Sequence, residues 1–309
     1  MNRDSGISLK RFDGRKKHEK QIQQLQEEAC MRIVRIILIA VSILSLGMFG
    51  ISELIELSSR DTTVPEITSD REILEIPCEY TQEQLMEGLS AKDETDGDLT
   101  SEIIAGSFSR FIDTGMCNLT YVVFDSSDQP ASLTRKVRFT DYHPPRFTLT
   151  EPLVFVEQEG SYTEAMERLG AQDMLDGDLK EWITQTDTDV NYQRVGTYTM
   201  SVEVSSSFGD TSTAALPVHV VSAENQLVDI ALTEGIAYIR AGESFDPAAY
   251  VSAVTAADGS ALDPSAAGAE SGVDVNTPGC YEVHYLAYDA AGNMGETWLT
   301  VIVEEGGAE

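Results

Sequence analysis

The chain has 309 residues, a formal net charge of −31 at pH 7 and four cysteines. A protein this acidic repels nucleic acid, which excludes a nucleic-acid partner. Four cysteines are too few for a fold that disulfides hold together. The sequence contains no His-Glu-x-x-His, Gly-x-Ser-x-Gly or phosphate-loop motif, so we predict that the protein is not an enzyme and needs no cofactor.

The N-terminal tail, residues 1–32, is basic and predicted to be partly helical. Residues 14–32 are polar, with a thin apolar stripe of Ile22 and Leu25. Two hypotheses fit such a helix: it is a solvated tail attracted to anionic lipid, or it docks a protein partner.

An uncharged, mostly apolar run follows at residues 36–52. As a helix it would measure about 26 Å, the short end of what crosses a bilayer. We predict that residues 33–57 form a retained signal-anchor helix with a short stalk, and that residues 36–52 contact membrane lipid. A cleaved signal peptide is the competing hypothesis, although the charged stretch ahead of the run is long for one. A buried core helix is the other, but a small all-β protein has no core to receive it.

Charge predicts the orientation of this helix. Residues 1–52 contain nine Lys and Arg against five Asp and Glu, a net charge of +4, which leaves −35 for the remainder. Basic flanks stay on the cytoplasmic side of a membrane. We therefore predict a single-pass protein of the cell membrane, with a cytoplasmic N-terminus and its C-terminal domains outside.

The outer part contains a repeat. Ala91-Lys-Asp-Glu-Thr-Asp-Gly-Asp-Leu99 returns as Ala171-Gln-Asp-Met-Leu-Asp-Gly-Asp-Leu179, shifted by 80 residues. Repetition at this spacing indicates that a small domain is repeated. A third, weaker copy contains Gly279-Cys-Tyr-Glu-Val-His-Tyr285, at the place where the earlier copies have Gly115 and Gly196.

Each copy has the alternation of apolar and polar residues that is typical of half-buried strands, as at Tyr281, Val283 and Tyr285. Each copy then closes on another β-rich run, at 134–140, 215–221 and 297–303. Short helices are expected only ahead of the acidic loops, over residues 81–87 and 162–169. The pattern predicts an all-β protein built of sandwiches.

Several motifs resemble the bacterial immunoglobulin-like repeats of cell-surface proteins. They are Gly-x-Tyr-x-Val-x-Tyr leading into Asp289-Ala-Ala-Gly-Asn293, Asp61-Thr-Thr-Val-Pro65 and Asp96-Gly-Asp-Leu-Thr100. The resemblance covers roughly residues 61–305. Together with the punctuation at His143-Pro-Pro145 and near residue 222, it implies three tandem immunoglobulin-like domains in a row, at 61–141, 142–222 and 223–305. It also implies a module of the cell surface.

Three aspartates surround a glycine in each of the first two copies: Asp93, Asp96 and Asp98 in one, Asp173, Asp176 and Asp178 in the other. Oxygen ligands gathered on a tight loop suit Ca²⁺, which makes these six residues candidate calcium ligands. The competing hypothesis is a glycine-centred turn whose carboxylates accept backbone N–H groups. The third copy keeps only Asp258-Gly259 and cannot bind calcium in this way.

Cys78 and Cys117 fall in the same copy and can form a disulfide outside the cell, although their distance does not follow from the sequence. His219 and His284 are expected on strand surfaces, and His143 in a linker. We therefore predict a membrane-anchored cell-surface protein that presents immunoglobulin-like domains for binding, adhesion or spacing, with an unknown extracellular protein or glycan as its partner. The alternative is a non-catalytic subunit or sensor of a cell-envelope complex, which signals or docks through its cytoplasmic tail.

Overall fold

The computed structural model describes residues 31–55 and 63–306. Its first element is the helix α1 (Met31–Ile55), whose 25 residues correspond to about 37 Å. Within the described residues it is the one helix long and apolar enough to cross a membrane, and nearly all its side chains are exposed. Signal sequences have the same length and composition. The helix predicted in the basic tail lies almost wholly outside the described residues.

The rest of the described chain is mostly strand, in three consecutive parts. We call residues 63–142, 143–225 and 226–306 the first, second and third segments. The first segment contains two sheets, β1-β3-β4 and β2-β7-β6-β5, and the short helix α2 (Gln82–Met86). Its strands are β1 (Glu66–Ser69), β2 (Ile73–Ile76), β3 (Leu89–Asp93), β4 (Gly97–Asp98), β5 (Ile104–Phe108), β6 (Met116–Phe124) and β7 (Pro130–Phe139).

The second segment repeats this order, with sheets β8-β10-β11 and β9-β14-β13-β12 and the helix α3 (Tyr162–Arg168). Its strands are β8 (Arg146–Leu149), β9 (Val154–Val156), β10 (Leu169–Asp173), β11 (Gly177–Asp178), β12 (Thr184–Thr188), β13 (Gly196–Ser205) and β14 (Thr211–Val221). Both short helices fall where the sequence predicts them. Thr81 and Ser161 cap their N-termini through side-chain oxygens.

The third segment has sheets β15-β17-β18 and β16-β21-β20-β19. Short 3₁₀ turns, Pro247–Tyr250 and Pro264–Ala266, take the place of the helices and turns of the earlier segments. Its strands are β15 (Asp229–Leu232), β16 (Ile236–Arg240), β17 (Val251–Thr255), β18 (Ala261–Leu262), β19 (Gly268–Ser271), β20 (Gly279–Tyr288) and β21 (Met294–Glu304). In every segment the second strand pairs in parallel with the last one, and the long hairpin is antiparallel.

Each segment encloses a cluster of buried apolar side chains, supplied by the alternating positions of its long strands. In β6 these are Cys117, Leu119, Tyr121 and Val123. Residues at every second position share one face of a strand, so the sequence pattern translates directly into these cores.

The second and third segments share a boundary that the sequence pattern does not show. Along β16, Ala237 and Ile239 pack in the cluster of the third segment, whereas Ile236 packs in the cluster of the second. Ile302 of β21 also packs against the second cluster. Both faces of the sheet containing β16 and β21 therefore make apolar contacts. One face packs in the core of the third segment and the other packs against the core of the second. Units in a simple row would leave that face in water.

Candidate functional site

A concave region of the described residues lies where the three segments meet. Two adjoining hollows, of about 780 Å³ and about 310 Å³, share His143, Arg146, Phe147 and Tyr238. We call them together the junction cleft. The larger hollow also takes residues from all three segments, among them Thr114, Tyr142, Thr213, Arg240, Ile302 and Glu304.

The linker and the start of β8 place the central residues of the cleft. Proline has a fixed φ and no N–H, so Pro144 and Pro145 hold the chain extended before β8. Alternation along β8 then buries Phe147 in the second core and turns Arg146 toward the cleft. The backbone N–H of Phe147 donates to the hydroxyl oxygen of Tyr238 at 2.8 Å, which joins the second segment to the third.

Arg146 makes a two-point contact with Glu304. Its Nε donates to Oε1 at 2.9 Å and its Nη2 to Oε2 at 2.5 Å, while its guanidinium lies 5.0 Å from the centroid of the Tyr238 ring. The two charged partners are separated by 158 residues in the chain. Two parallel hydrogen bonds fix the guanidinium in one plane, so this wall of the cleft is held in place by the ion pair.

The larger hollow is close to neutral in a very acidic protein, whereas Asp173 and Glu234 add acidic side chains to the smaller one. Arg146 and Arg240 face the larger hollow together with Glu304 and Glu305, whereas the whole chain has a net charge of −31. Burial raises the pKa of Tyr238 well above its usual range, which keeps the phenol protonated and able to donate a hydrogen bond. Four hydroxyl side chains also line the larger hollow: Thr114, Thr211, Ser212 and Thr213.

The smaller hollow is more apolar. Phe147, Leu149, Ile236 and Met174 line it, with Glu234 at its edge. Burial raises the pKa of the Glu234 carboxyl. A hollow of this kind accommodates an apolar group, while the larger one offers hydrogen bonds. The cleft thus has the chemistry of a binding site.

The acidic loops join β3 to β4 and β10 to β11. Asp173 of the second loop also lines the smaller hollow, and its Oδ2 accepts a hydrogen bond from the Tyr142 hydroxyl at 3.3 Å. Asp93 and Asp173 are buried, and Oδ1 of each accepts two backbone N–H groups of its own loop, at 2.7–3.0 Å. Oδ1 of Asp98 and of Asp178 accepts the N–H two residues later. Gly97 and Gly177 have φ of +79° and +75°, a backbone conformation that favours glycine.

The middle aspartate of each loop reaches the long hairpin. Asp96 Oδ2 accepts the N–H of Ser126 at 2.7 Å, and the two oxygens of Asp176 accept the N–H and the hydroxyl of Ser207 at 2.6 and 2.7 Å. Among the described residues no three His, Cys, Asp or Glu side chains come together as metal ligands. The geometry is that of the competing turn hypothesis, and calcium binding at the six aspartates stays a prediction.

The cysteines of the first segment are buried and free. Cys78 and Cys117 are separate thiols in the structure, so the disulfide that the sequence allows is not formed there. Burial raises the pKa of both thiols, to about 12 for Cys78 and about 11 for Cys117. Whether two cysteines form a disulfide depends on the distance between them, which the sequence does not give.

The prediction for His219 is wrong. Its side chain lies on the outer face of β14, but that face is covered by the third segment, and only 7% of the side chain is exposed. Sequence reasoning also missed Arg146, Tyr238 and Glu304 of the cleft. No local signal marks them, because each looks like an ordinary strand residue until the segments meet.

Two curated proteins are similar to parts of this chain. An uncharacterized 81.3 kDa protein of Acholeplasma phage L2 is 31% identical over 140 residues, which is 44% of this chain and 19% of that protein. The pesticidal crystal protein Cry22Aa of Bacillus thuringiensis is 27% identical over 229 residues, 70% of this chain and 29% of that protein. The chain thus spans less than a third of the length of either relative.

No family model matches the chain, so its place in the bacterial immunoglobulin-like repeat family stays a prediction. Similar solved structures include the M60 catalytic domain with two CBM51 domains of Clostridium perfringens ZmpB, at 12% identity and a TM-score of 0.23, with 80% of this chain and 31% of that chain covered. Another is the set of extracellular cadherin domains 1–4 of protocadherin gamma B7, at 13% identity and a TM-score of 0.20, with 78% and 76% covered. The mostly β fold rests on the strands described above.

Proposed function

We propose that this is a single-pass cell-surface protein with a cytoplasmic N-terminus, which presents three immunoglobulin-like sandwiches and binds a glycan in the junction cleft. The observation that carries the proposal is the cleft itself, a nearly neutral hollow of about 780 Å³ lined by hydroxyl, guanidinium and carboxylate groups.

The sandwich count is supported by the repeated strand order. Each segment pairs a three-stranded sheet with a four-stranded sheet and encloses its own buried cluster. Seven strands in two sheets correspond to the smaller immunoglobulin-like arrangement. The ranges of these sheet pairs support the unit boundaries that we propose from the sequence, 61–141, 142–222 and 223–305.

The ligand class follows from the groups that line the cleft. An anionic ligand is repelled by a chain of net charge −31. The two arginines and two glutamates of the larger hollow balance, and the smaller hollow adds Asp173 and Glu234, so the cleft has no positive excess to attract an anion. A neutral glycan carries hydroxyls that donate and accept, and these match Thr213, Arg240 and Glu305. Its apolar ring faces suit the Phe147 and Ile236 side of the smaller hollow.

Binding is tested with the full chain in lipid nanodiscs and a panel of neutral oligosaccharides built of N-acetylglucosamine, glucose or mannose, by calorimetry. Thr213→Trp fills the cleft and is expected to abolish binding. Ser132→Trp adds the same side chain at an exposed position of β7 in the first segment and is expected to leave binding unchanged. The glycan proposal is contradicted if no oligosaccharide of the panel binds. It is also contradicted if the two variants lose binding equally.

The anchor is tested separately, by expression with an epitope tag at each end and protease added to intact spheroplasts. The helix Met31–Ile55 and the step in charge across it support retention with the N-terminus inside. We expect the C-terminal tag to be digested and a fragment with the N-terminal tag to survive. A soluble mature chain that begins near residue 52 would show a cleaved signal peptide. The alternative of docking through the tail concerns residues 1–30, outside the described part.

A further inference from the structure

One wall of the smaller hollow is apolar. Four side chains form it: Phe147, Leu149, Met174 and Ile236. Three of them, Phe147, Leu149 and Ile236, are buried members of the second core, so the packing of that core fixes the position of the wall. A hydroxyl group placed against such a wall loses hydrogen bonds to water and gains none from the protein. The wall therefore favours a ligand group that ends in a methyl.

Hydrogen-bonding groups stand beside this wall. Tyr238 lines both hollows, at their shared border. Its hydroxyl oxygen accepts the N–H of Phe147 at 2.8 Å, and its own proton is left to donate. Glu234 lines the smaller hollow, where burial raises the pKa of its carboxyl. A carboxylate is a hydrogen-bond acceptor. The smaller hollow thus offers a methyl-sized apolar surface, a donor and an acceptor close together.

We propose that the smaller hollow is a subsite for the acetamido group of an N-acetylated amino sugar, whose hydroxyl groups occupy the larger hollow. This inference rests on the proposed glycan binding and narrows it to one class of sugar. An acetamido group joins a methyl, an N–H donor and a carbonyl acceptor in one short substituent. The apolar wall, Glu234 and Tyr238 match these three in turn.

Other substituents of a sugar match fewer of these groups. A hydroxyl forms hydrogen bonds but leaves the apolar wall without a partner. An acetyl ester brings the methyl and lacks the N–H that Glu234 accepts. A free ammonium group is attracted by Glu234 and Asp173, but it loses its hydration against Phe147 and Ile236. The acetamido group satisfies the wall and the hydrogen-bonding groups together.

Calorimetry with the full chain in lipid nanodiscs tests the subsite. The ligands are three trisaccharides of one glucose backbone, which carry an acetamido, a hydroxyl or an ammonium group on the carbon next to each anomeric carbon. We expect the acetamido trisaccharide to bind about tenfold more tightly than the hydroxyl one, because a buried methyl and an additional hydrogen bond each contribute a few-fold. The ammonium trisaccharide should bind more weakly than the acetamido one.

Gln172→Trp tests the subsite from the side of the protein. Gln172 lines the smaller hollow at an exposed position of β10, so an indole there narrows this hollow and leaves the larger one open. The affinity for the acetamido trisaccharide should fall to that for the hydroxyl one, which should itself stay unchanged. Lys92→Trp is the matched control, because Lys92 has the equivalent exposed position of β3 in the first segment. It should leave both affinities unchanged.

The outcomes separate this subsite from the glycan proposal. Equal affinity for the acetamido and hydroxyl trisaccharides overturns the subsite and leaves glycan binding in place. Tightest binding of the ammonium trisaccharide also overturns it, because the acidic side chains would then select the ligand. Absence of binding across the whole oligosaccharide panel overturns both proposals. Equal weakening of the two ligands by Gln172→Trp overturns the subsite as well, and the comparison of ligands on the unchanged chain depends on neither variant.

Discussion

The two junctions between the three segments are built from different chemistry. At the first, Phe111 and Phe208 stack with ring centroids 4.9 Å apart, and the N–H of Phe111 donates to the carbonyl of Phe208 at 2.9 Å. Tyr142 packs edge-on against Phe111 at 4.8 Å. At the second, the imidazoles of His219 and His284 stack on the indole of Trp298. The Arg146–Glu304 ion pair and the apolar contact of Ile236 with the second core belong to the same junction.

The two junctions are therefore expected to respond differently to the composition of the solution. Contacts between aromatic rings depend on apolar burial, which changes little with salt or between pH 5 and 8. Ion pairs weaken as salt is added. The first junction is therefore expected to change little with salt, and the second to weaken.

The largest effect is expected from Ile236→Ala, which removes a residue of the third segment from the core of the second. We expect a loss of about 3 kcal/mol in the free energy of unfolding, measured in denaturant, because a buried isoleucine leaves a cavity. Hydrogen exchange should accelerate in both segments. Ile104→Ala, at a position 58% exposed, should change stability by less than about 0.5 kcal/mol. Faster exchange confined to the third segment would contradict the shared boundary.

Phe208→Ala tests the first junction. Phe208 is half-buried against Phe111, so we expect a loss of about 2 kcal/mol, below the range for fully buried rings. The loss should be equal at 0.05 and 1 M salt. Phe124→Ala, exposed at the end of β6, is the control and should have little effect. A loss that shrinks in salt would show that charge contributes to this junction as well.

The loop that carries Phe208 is held by Asp176, which accepts two hydrogen bonds from the adjacent Ser207. Asp176→Ala should therefore weaken the same stack. In a double-mutant cycle with Phe208→Ala we expect a coupling energy of about 0.5–1 kcal/mol. Simple additivity of the two losses would mean that the acidic loop does not position the aromatic ring.

Arg146→Lys tests the ion pair of the second junction. Lysine keeps the charge but cannot make the two parallel hydrogen bonds to Glu304, so we expect a loss of about 1 kcal/mol that decreases at 1 M salt. Arg138→Lys is the matched control, since Arg138 lies 3.9 Å from Glu75 with both side chains largely exposed. A pair of that kind contributes little. Equal losses in the two variants would remove the distinction.

The smallest effect is expected away from both junctions, at the hairpin loop of the third segment. A hydrogen bond from the Asn293 side chain holds the pKa of Asp289 below its usual value. Because the folded pKa is lowered, the contribution to stability is present above the unfolded pKa and is lost as the pH falls through the folded one. Asn293→Ala should move the Asp289 pKa back toward its ordinary value, as followed by NMR titration. An unchanged pKa would assign the shift to the backbone N–H groups.

Local sequence patterns predicted most of the strands and the long helix of this protein. Alternation identified the long strands around Tyr121, Val202 and Tyr285, because a strand exposes every second side chain to the same face. The 80-residue repeat anticipated the recurring strand order, and the apolar run at 36–52 anticipated α1, which extends it at both ends. The strands and α1 depend on residues a few positions apart, and the repeat is a likeness between two stretches of one chain, so a single sequence contains all three features.

Only the tertiary structure decided how the segments meet. Arg146 and Glu304 are 158 residues apart, and His219 is indistinguishable in sequence from a histidine on an open strand face. The outer face of the sheet that contains β16 and β21 is covered because Ile236 and Ile302 contact the second core. Such contacts depend on the relative orientation of whole sheets, which no local periodicity specifies. The cleft and the stacking of His219 on Trp298 both depend on that orientation.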